Sequence, residues 1–328
     1  MSAPPAVELK RVSKVYPGGV RAVDDLSLAV PAGRVLALLG TSGCGKTTTL
    51  RLINRLEEAT AGHVLVRGQD VRRQRPELLR RSIGYIIQEG GLFPHLDVSA
   101  NVATVPRLLG WDAARRRARV AEVLELVGLP ESRFGRRMPA ELSGGQRQRV
   151  GVARALAADP DLLLMDEPFG ALDPGTREAI QDEFLRLQAR LRKTVVIVTH
   201  DIAEAGKLAD EIVLMDQGRV IQRGDFADLL LRPAGSRVRA FLGRQGPALA
   251  LDALRLGEVV KDLTPGEPSA EMIRLPADAG LGGVLTALAG AGDGASVQVD
   301  GDGQRFYAAR DVQARILADL AKLRPEGA

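Results

Sequence analysis

Aromatic side chains are scarce in this 328-residue sequence: one Trp, three Tyr and seven Phe make up 3% of it. That scarcity argues against a surface built to stack on single-stranded nucleic acid, where aromatic faces hold successive bases. Charge of one sign is missing as well. The 45 Lys and Arg stand against 41 Asp and Glu, a net of +4, so no nucleic-acid partner is expected. Cysteine occurs once, at Cys44, which excludes an internal disulfide and fits a reducing compartment. No apolar run approaches the ~18 residues a membrane-crossing helix needs, and the N-terminal MSAPPAVELK lacks a charged-then-apolar leader pattern. The expectation is a cytosolic chain that meets any membrane through a partner. Hydrophobic residues at 45% supply a full core, and the length predicts one large domain followed by a smaller one.

Glycine, by contrast, is concentrated where it matters. Gly40 to Thr47 reads GTSGCGKT and fits GxxxxGK[ST], the phosphate-loop pattern in which glycines let backbone N–H groups turn inward around a nucleotide's phosphates. The apolar run Val35 to Leu39 before it predicts a buried strand. Thr47 to Leu56 after it predicts a helix with Leu50, Ile53 and Leu56 on one side. Loop amides across Gly40, Thr41, Ser42, Gly43, Cys44 and Gly45, the positive end of the helix dipole and the Lys46 ammonium then converge on one anion. Thr47 can offer its hydroxyl to Mg²⁺. For Cys44 two readings stand side by side: a thiol made acidic and nucleophilic by the amides and Lys46, or a small residue that fills the loop.

The rest of the chain supplies companions for this loop. Val7 to Tyr16 and Ala22 to Val30 alternate as two strands around Pro17, Gly18 and Gly19, with Tyr16 either an adenine-stacking ring or a half-buried strand tyrosine. Ser82 to Gln88 reads as a buried strand that ends in an amide, and Gln88 there can reach Mg²⁺ or water, or cap a loop. Val98 to about Arg137 turns helical, with Leu108, Leu109, Val120, Val123, Leu124 and Val127 at helix spacing. Its basic cluster Arg115, Arg116, Arg117 and Arg119 reads as a solvated helix face. In LSGGQ, Leu142 to Gln146, Ser143 caps the next helix. The pair Gly144 and Gly145 and the following Gln146 exceed what a cap requires, which points to a second anion site. Leu162 to Met165 is a buried parallel strand ending in Asp166 and Glu167. Adjacent carboxylates raise each other's pKa, so a division of labour suits them better than a structural pairing: Asp166 to hold Mg²⁺, Glu167 to orient an attacking water. Ala171, Leu172 and Asp173 turn into a helix from Gly175 to Arg192. The strand Thr194 to Thr199 then delivers His200, and Ile212 to Met215 with Arg219 to Gln222 form a hairpin.

These elements in this order resemble the ATP-binding subunit of an ABC transporter over about residues 7–242. The resemblance implies a P-loop NTPase fold of the α/β class, an ABC cassette of mixed sheet core with antiparallel β and α-helical subdomains. It implies ATP and Mg²⁺ as cofactors, with Lys46, Gln88, Glu167 and His200 in catalysis and Thr47, Gln88 and Asp166 at the metal. Nucleotide contacts would come from Tyr16, the loop from Gly40 through Thr48, Ser143, Gly144, Gly145 and Gln146, and Asp173 of the ALD segment. In the family two cassettes pair head to tail, so that Ser143 and Gly145 of one copy close over the nucleotide held by Lys46 of the other. The segment YIIQEGGLFPH and a C-terminal extension are similar to importers of glycine betaine, choline and related quaternary amines. Partners implied are a second copy, transmembrane permease subunits and, indirectly, an extracytoplasmic substrate-binding protein, with the chain at the cytoplasmic face of the inner membrane. A methionine-like amino-acid importer or a soluble non-transport ABC ATPase are the alternatives.

Expected domain bounds are 1–242 for the cassette, with a helical part at about 92–157, a linker at 243–250 and a tail at 251–328. The tail reads as strand Met272 to Leu275, helix Leu281 to Ala289, strand Ser296 to Val299, turn Asp300 to Gly303, strand Arg305 to Ala308 and helix Val312 to Lys322. That βαββα order resembles a single CBS motif. Such motifs work in pairs, which predicts an unburied apolar face, pairing across a dimer and a regulatory or dimerisation role. Ala308 stands where the family often has Thr or Ser before Asp311, which weakens the case for a nucleotide there.

Overall fold

The computed structural model describes residues 4–87, 91–243, 245–292, 294–300 and 305–323. Strands β1 (Val7–Val15) and β2 (Arg21–Val30) pair antiparallel from Val7 opposite Val30 to Val15 opposite Arg21. Their alternation buries Val7, Leu9, Val12, Val23, Leu26 and Leu28 in one core. β3 (Val35–Gly40) is buried along its whole length and leads through the glycine loop into helix α1 (Lys46–Ile53). That helix ends earlier than its apolar spacing predicts. Arg55 adopts a left-handed φ of 52°, and Leu56, expected on the buried side, is 47% exposed. β4 (Ala61–Val66) and β5 (Gln69–Asp70) complete a sheet of order β2-β1-β4-β5.

After α2 (Pro76–Arg81) and β6 (Ile83–Ile86), the helical stretch divides into α3 (Val98–Val102), α4 (Thr104–Leu108), α5 (Ala113–Leu126) and α6 (Glu131–Phe134). Gly110 and Gly128, both at positive φ, end α4 and α5 as left-handed caps. α5 buries Val120, Val123 and Leu124, whereas Leu108 and Leu109, beside the Gly110 turn, are exposed. α7 (Gly144–Leu156), β7 (Leu162–Asp166), α8 (Pro174–Leu191), β8 (Thr194–Thr199), α9 (Ile202–Leu208), β9 (Glu211–Asp216) and β10 (Arg219–Gly224) follow. The second sheet runs β10-β9-β3-β8-β7-β6, and β3 lies parallel to both β8 and β9. Strands covered on both faces read as near-continuous apolar runs, as in Leu162 to Met165 and Val195 to Val198, and every residue of β7 and β8 is buried. Parallel pairing of β6, β7, β8, β3 and β9 puts their carboxyl ends on one edge, where loops in such sheets bind ligands.

The chain divides into two compact units, Met1–Val220 and Ile221–Ala328. In the second, α10 (Phe226–Leu231), α11 (Ser236–Leu242), α12 (Gln245–Ala253) and α13 (Leu256–Val260) precede β11 (Met272–Pro276), α14 (Leu281–Leu288), β12 (Ser296–Asp300), β13 (Phe306–Ala308) and α15 (Ala309–Lys322). Helix α12 thus occupies most of the stretch read as a linker. β11 and β12 pair parallel, β12 and β13 antiparallel, in the order β11-β12-β13. Most of the turn expected over 300–303 lies outside the described residues. Val284, Leu288, Val297, Val299, Tyr307, Val312 and Ile316 form the interior. The large apolar side chains left exposed in this unit, among the described residues, are Met272 and Leu317. The buried carboxylate of Asp319 accepts from Arg315 Nε and Lys322 Nζ, each at 2.7 Å.

Candidate active site

The glycine loop has the shape its residues require. Gly40, Gly43 and Gly45 have φ of 150°, 78° and 106°. A Cβ on Gly40 would stand 2.3 Å from the Met215 carbonyl oxygen, and one on Gly45 2.2 Å from that of Ala22, so both positions need glycine for space as well as for backbone freedom. Helix α1 starts at Gly45 with no side-chain cap, which leaves its first-turn N–H groups to an outside acceptor. Lys46 is 5% exposed, and its ammonium donates to the carbonyls of Gly40 at 2.7 Å and Thr41 at 2.9 Å. Among the described residues no carboxylate forms an ion pair with it. A buried cation whose hydrogen-bond partners are all neutral is poised for an anionic ligand. Cys44 is 3% exposed, with Sγ 3.9 Å from Lys46 Nζ. Burial pushes its thiol up, and the opposing pull of Lys46 does not reverse that. The acidified, nucleophilic thiol is therefore corrected to a buried loop-filling residue.

Opposite the loop, Thr47 Oγ1 donates to Asp166 Oδ1 at 2.9 Å. Burial raises the Asp166 pKa, Thr47 and Arg51 oppose it, and neighbouring Glu167 adds to the rise. A hydroxyl and a carboxylate oxygen side by side are the hard-oxygen donors Mg²⁺ takes alongside phosphate and water. Among the described residues no group of three or more His, Cys, Asp and Glu could hold a metal by itself, so nucleotide phosphates and waters would have to complete the shell. Glu167 follows at a left-handed φ of 45°, a conformation that costs a non-glycine residue about 1–2 kcal/mol. Its N–H donates to Val198 O at 3.0 Å, and its Oε2 lies 3.4 Å from His200 Nδ1. Lys46, Thr47, Asp166, Glu167 and His200 thus gather at the carboxyl edge of β3, β7 and β8. Gln88 lies outside the described residues.

Tyr16 stands near α1, its hydroxyl 3.5 Å from Thr48 Oγ1, and Lys14 Nζ sits 4.8 Å over its ring. Thr41 and Ser42 lie at the exposed turn of the loop. Ser143 and Gln146 form a reciprocal capping box at α7: Gln146 N donates to Ser143 Oγ at 3.3 Å, and Ser143 N donates to Gln146 Oε1 at 3.0 Å. A Cβ on Gly145 would meet Thr176 Cγ2 at 2.6 Å, whereas Gly144 has room. Capping and helix packing therefore already account for Gln146 and Gly145. Asp173 caps α8 by accepting from Thr176 N at 3.1 Å, and that bond lowers its pKa. Among the described residues, none of Ser143, Gly144, Gly145, Gln146 or Asp173 shares a hydrogen bond with the phosphate loop. Sequence spacing gave no sign of Arg177 or Glu204. Arg177 reaches the carbonyls of Phe169 and Leu172, and Glu204 is buried on α9.

The ABC transporter family pattern matches residues 23–170. The glycine betaine/carnitine/choline transport ATP-binding protein of Bacillus subtilis is 47% identical over 266 residues, 81% of this chain and 70% of that protein. The glycine betaine uptake system ATP-binding protein of Escherichia coli is 51% identical over 249 residues, 76% of this chain and 80% of that one. The choline transport ATP-binding protein of Bacillus subtilis is 50% identical over 238 residues, 72% of this chain, which spans 62% of that relative's length. Among solved structures, the dimeric post-hydrolysis state of an ATP-binding cassette bound to ADP and Pi has TM-score 0.61 and 35% identity, covering 67% of this chain and 98% of its own. Likeness at this identity over most of both chains reaches well past shared topology, and the chain belongs to the ABC transporter family of ATP-binding proteins.

Proposed function

We propose that this chain hydrolyses ATP to drive uptake of a quaternary-amine osmoprotectant such as glycine betaine, choline or carnitine through a separate permease. The observation that carries the hydrolytic part is the Glu167 carboxylate, set beside Asp166 and 3.4 Å from His200 at the sheet edge that holds the phosphate loop. Loop amides and Lys46 hold the polyphosphate. Thr47 and Asp166 would hold Mg²⁺, which neutralises charge on the phosphates when bound. Glu167 orients water and accepts its proton, and His200 faces the same point and steadies the terminal phosphate. Positioning and fixed charge do most of the work in such a transfer. Ser143, Gly144, Gly145, Gln146 and Asp173 complete the site of a second copy in a head-to-tail dimer, with Gln88 and its loop coupling it to the permease.

The substrate class rests on relatives named for glycine betaine, choline and carnitine at 47–51% identity. A methionine import ATP-binding protein of Bradyrhizobium diazoefficiens is less similar, at 37% over 299 residues. An extracytoplasmic binding protein selects the solute, so this chain works at the cytoplasmic face of the inner membrane without touching it. We read 1–242 as the cassette and 251–328 as a CBS-like regulatory or dimerisation piece. Solubilised membranes should yield this chain with a permease, and the reconstituted pair should take up labelled glycine betaine or choline, not methionine, in an ATP-dependent way. Glu167→Gln should bind ATP, persist as a dimer by size exclusion and lose about 10²- to 10⁴-fold in turnover. Native-rate hydrolysis by that variant, or uptake of methionine alone, would overturn the corresponding half.

A further inference from the structure

We propose that Arg177 is a positioning residue for ATP hydrolysis: its guanidinium ties the turn that carries Glu167 to the segment that carries His200. The inference rests on the reading of that pair as the hydrolytic groups. Arg177 sits near the start of α8 and sends its donors in two directions. Nε donates to Phe169 O at 3.2 Å and Nη2 to Leu172 O at 3.0 Å, so one planar group holds two carbonyls of the turn after Glu167. Nη1 stands 3.8 Å from Asp201 Oδ2, next to His200. Asp201 is itself fixed, since its N–H donates to Thr199 Oγ1 at 3.0 Å and its Oδ1 accepts from Glu204 N at 3.1 Å as the cap of α9. That leaves Oδ2 to face the guanidinium.

Both ends of this link need holding. Glu167 has an unfavourable left-handed backbone, which persists only where the surroundings over-determine it. The turn supplies Gly170 N to Glu167 O at 3.3 Å and Leu172 N to Phe169 O at 3.2 Å, and the buried Phe169 ring packs edge-on to Phe184. Arg177 then gives the Phe169 carbonyl a second donor and takes the Leu172 carbonyl, which those bonds leave open. His200 has a side chain 62% exposed, so packing does not orient it and its neighbours along the chain must. A lysine could reach one carbonyl or Asp201, but it has no planar fork to hold both carbonyls at once.

The test is steady-state ATP hydrolysis by the full-length chain carrying Arg177→Met or Arg177→Lys, with fluorescent-nucleotide affinity and melting midpoint measured alongside. Misplacement of reacting groups by a fraction of an ångström acts on kcat, so Arg177→Met should lower kcat about tenfold with KM and nucleotide affinity within about twofold. Arg177→Lys should recover part of the loss. In single-turnover assays on a Glu167→Gln background, Arg177→Met should cost clearly less than the tenfold it costs alone, because one of the two groups it positions is already gone. An unchanged kcat, a parallel loss of affinity and melting midpoint, or additive losses with Glu167→Gln would overturn the inference. If Arg177→Met does not fold, Arg177→Lys decides: wild-type kcat refutes, and lowered kcat at unchanged KM supports. Absence of hydrolysis by the unsubstituted chain would sink the ATPase reading and this inference together. Wild-type hydrolysis with an indifferent Arg177→Met would sink this inference alone.

Discussion

Replacing Glu204 by Gln should stabilise the protein at alkaline pH and leave it little changed at acid pH. Glu204 lies 5% exposed on α9, and its Oε1 has no hydrogen-bond partner among the described residues. Burial, reinforced by the charge of Asp201, pushes its carboxyl from the ordinary value of 4.5 to about 7, and Thr199, Arg177 and Gln181 offset only part of that. The native state therefore binds this proton more tightly than the unfolded chain does. Stability from this group is complete below pH 4.5, falls as the unfolded chain releases its proton, and levels off above pH 7 or so. At ~1.4 kcal/mol per pH unit, the loss between about pH 5 and about pH 8.5 is about 2–3 kcal/mol. In a unit of this size, 1 kcal/mol moves a melting midpoint by roughly 2–4 °C, so the change is about 5–10 °C. Gln keeps the shape and the neighbour Gln181, whose Nε2 lies 3.5 Å from Oε2, but cannot ionise. Thermal unfolding of both proteins at the two pH values measures this directly, because subtracting wild type from variant removes every other titrating group. A difference that stays constant across pH would refute the reasoning, since it would mean that Glu204 is already ionised and paired in the fold.

Cys44, buried with its thiol pKa raised, should resist a maleimide in the native chain whether or not MgATP is present, and label fully in denaturant; rapid native labelling would contradict the burial. Gly145→Ala should destabilise by about 1–3 kcal/mol, because its Cβ would press on Thr176 Cγ2 at 2.6 Å, whereas Gly144→Ala should lower the melting midpoint far less. Equal effects of the two alanines would show that helix packing does not decide the LSGGQ glycines.

Much of this arrangement could be read from residue order, because its causes are local. An eight-residue glycine pattern between a buried strand and a helix dictates the phosphate loop, and a continuous apolar run such as Leu162 to Met165 reads as an interior parallel strand. Asp166, Glu167 and His200 were legible because each ends such a strand. What escaped was set by tertiary contact. Arg177 acts through carbonyls of a turn that no periodicity describes, and Glu204 matters for its burial, which one glutamate in a polar-apolar helix does not announce. Cys44 was open to either reading until the packing placed it inside, where desolvation outweighs the neighbouring ammonium. For the glycines of LSGGQ the fold adds a reason that no local pattern could supply, since Thr176, thirty-one positions after Gly145, leaves no room for a side chain at one of them.

The placing of β3 between β8 and β9 has a consequence for biosynthesis. Its two hydrogen-bonding partners, Val35 with Val195 and Leu36 with Glu211, come from far later in the chain. At a synthesis rate of ~5–20 residues per second, the strand before the phosphate loop waits roughly 10–35 s with both edges open. During that interval an apolar segment, VLALLG, offers unpaired amides on two sides, the feature that seeds misassembly between nascent chains. The nucleotide loop therefore cannot mature as its own codons are read. It must await the ribosome's passage to about Met215, and a nascent chain stalled before that point would expose this strand to whatever chaperone or neighbouring polypeptide reaches it first.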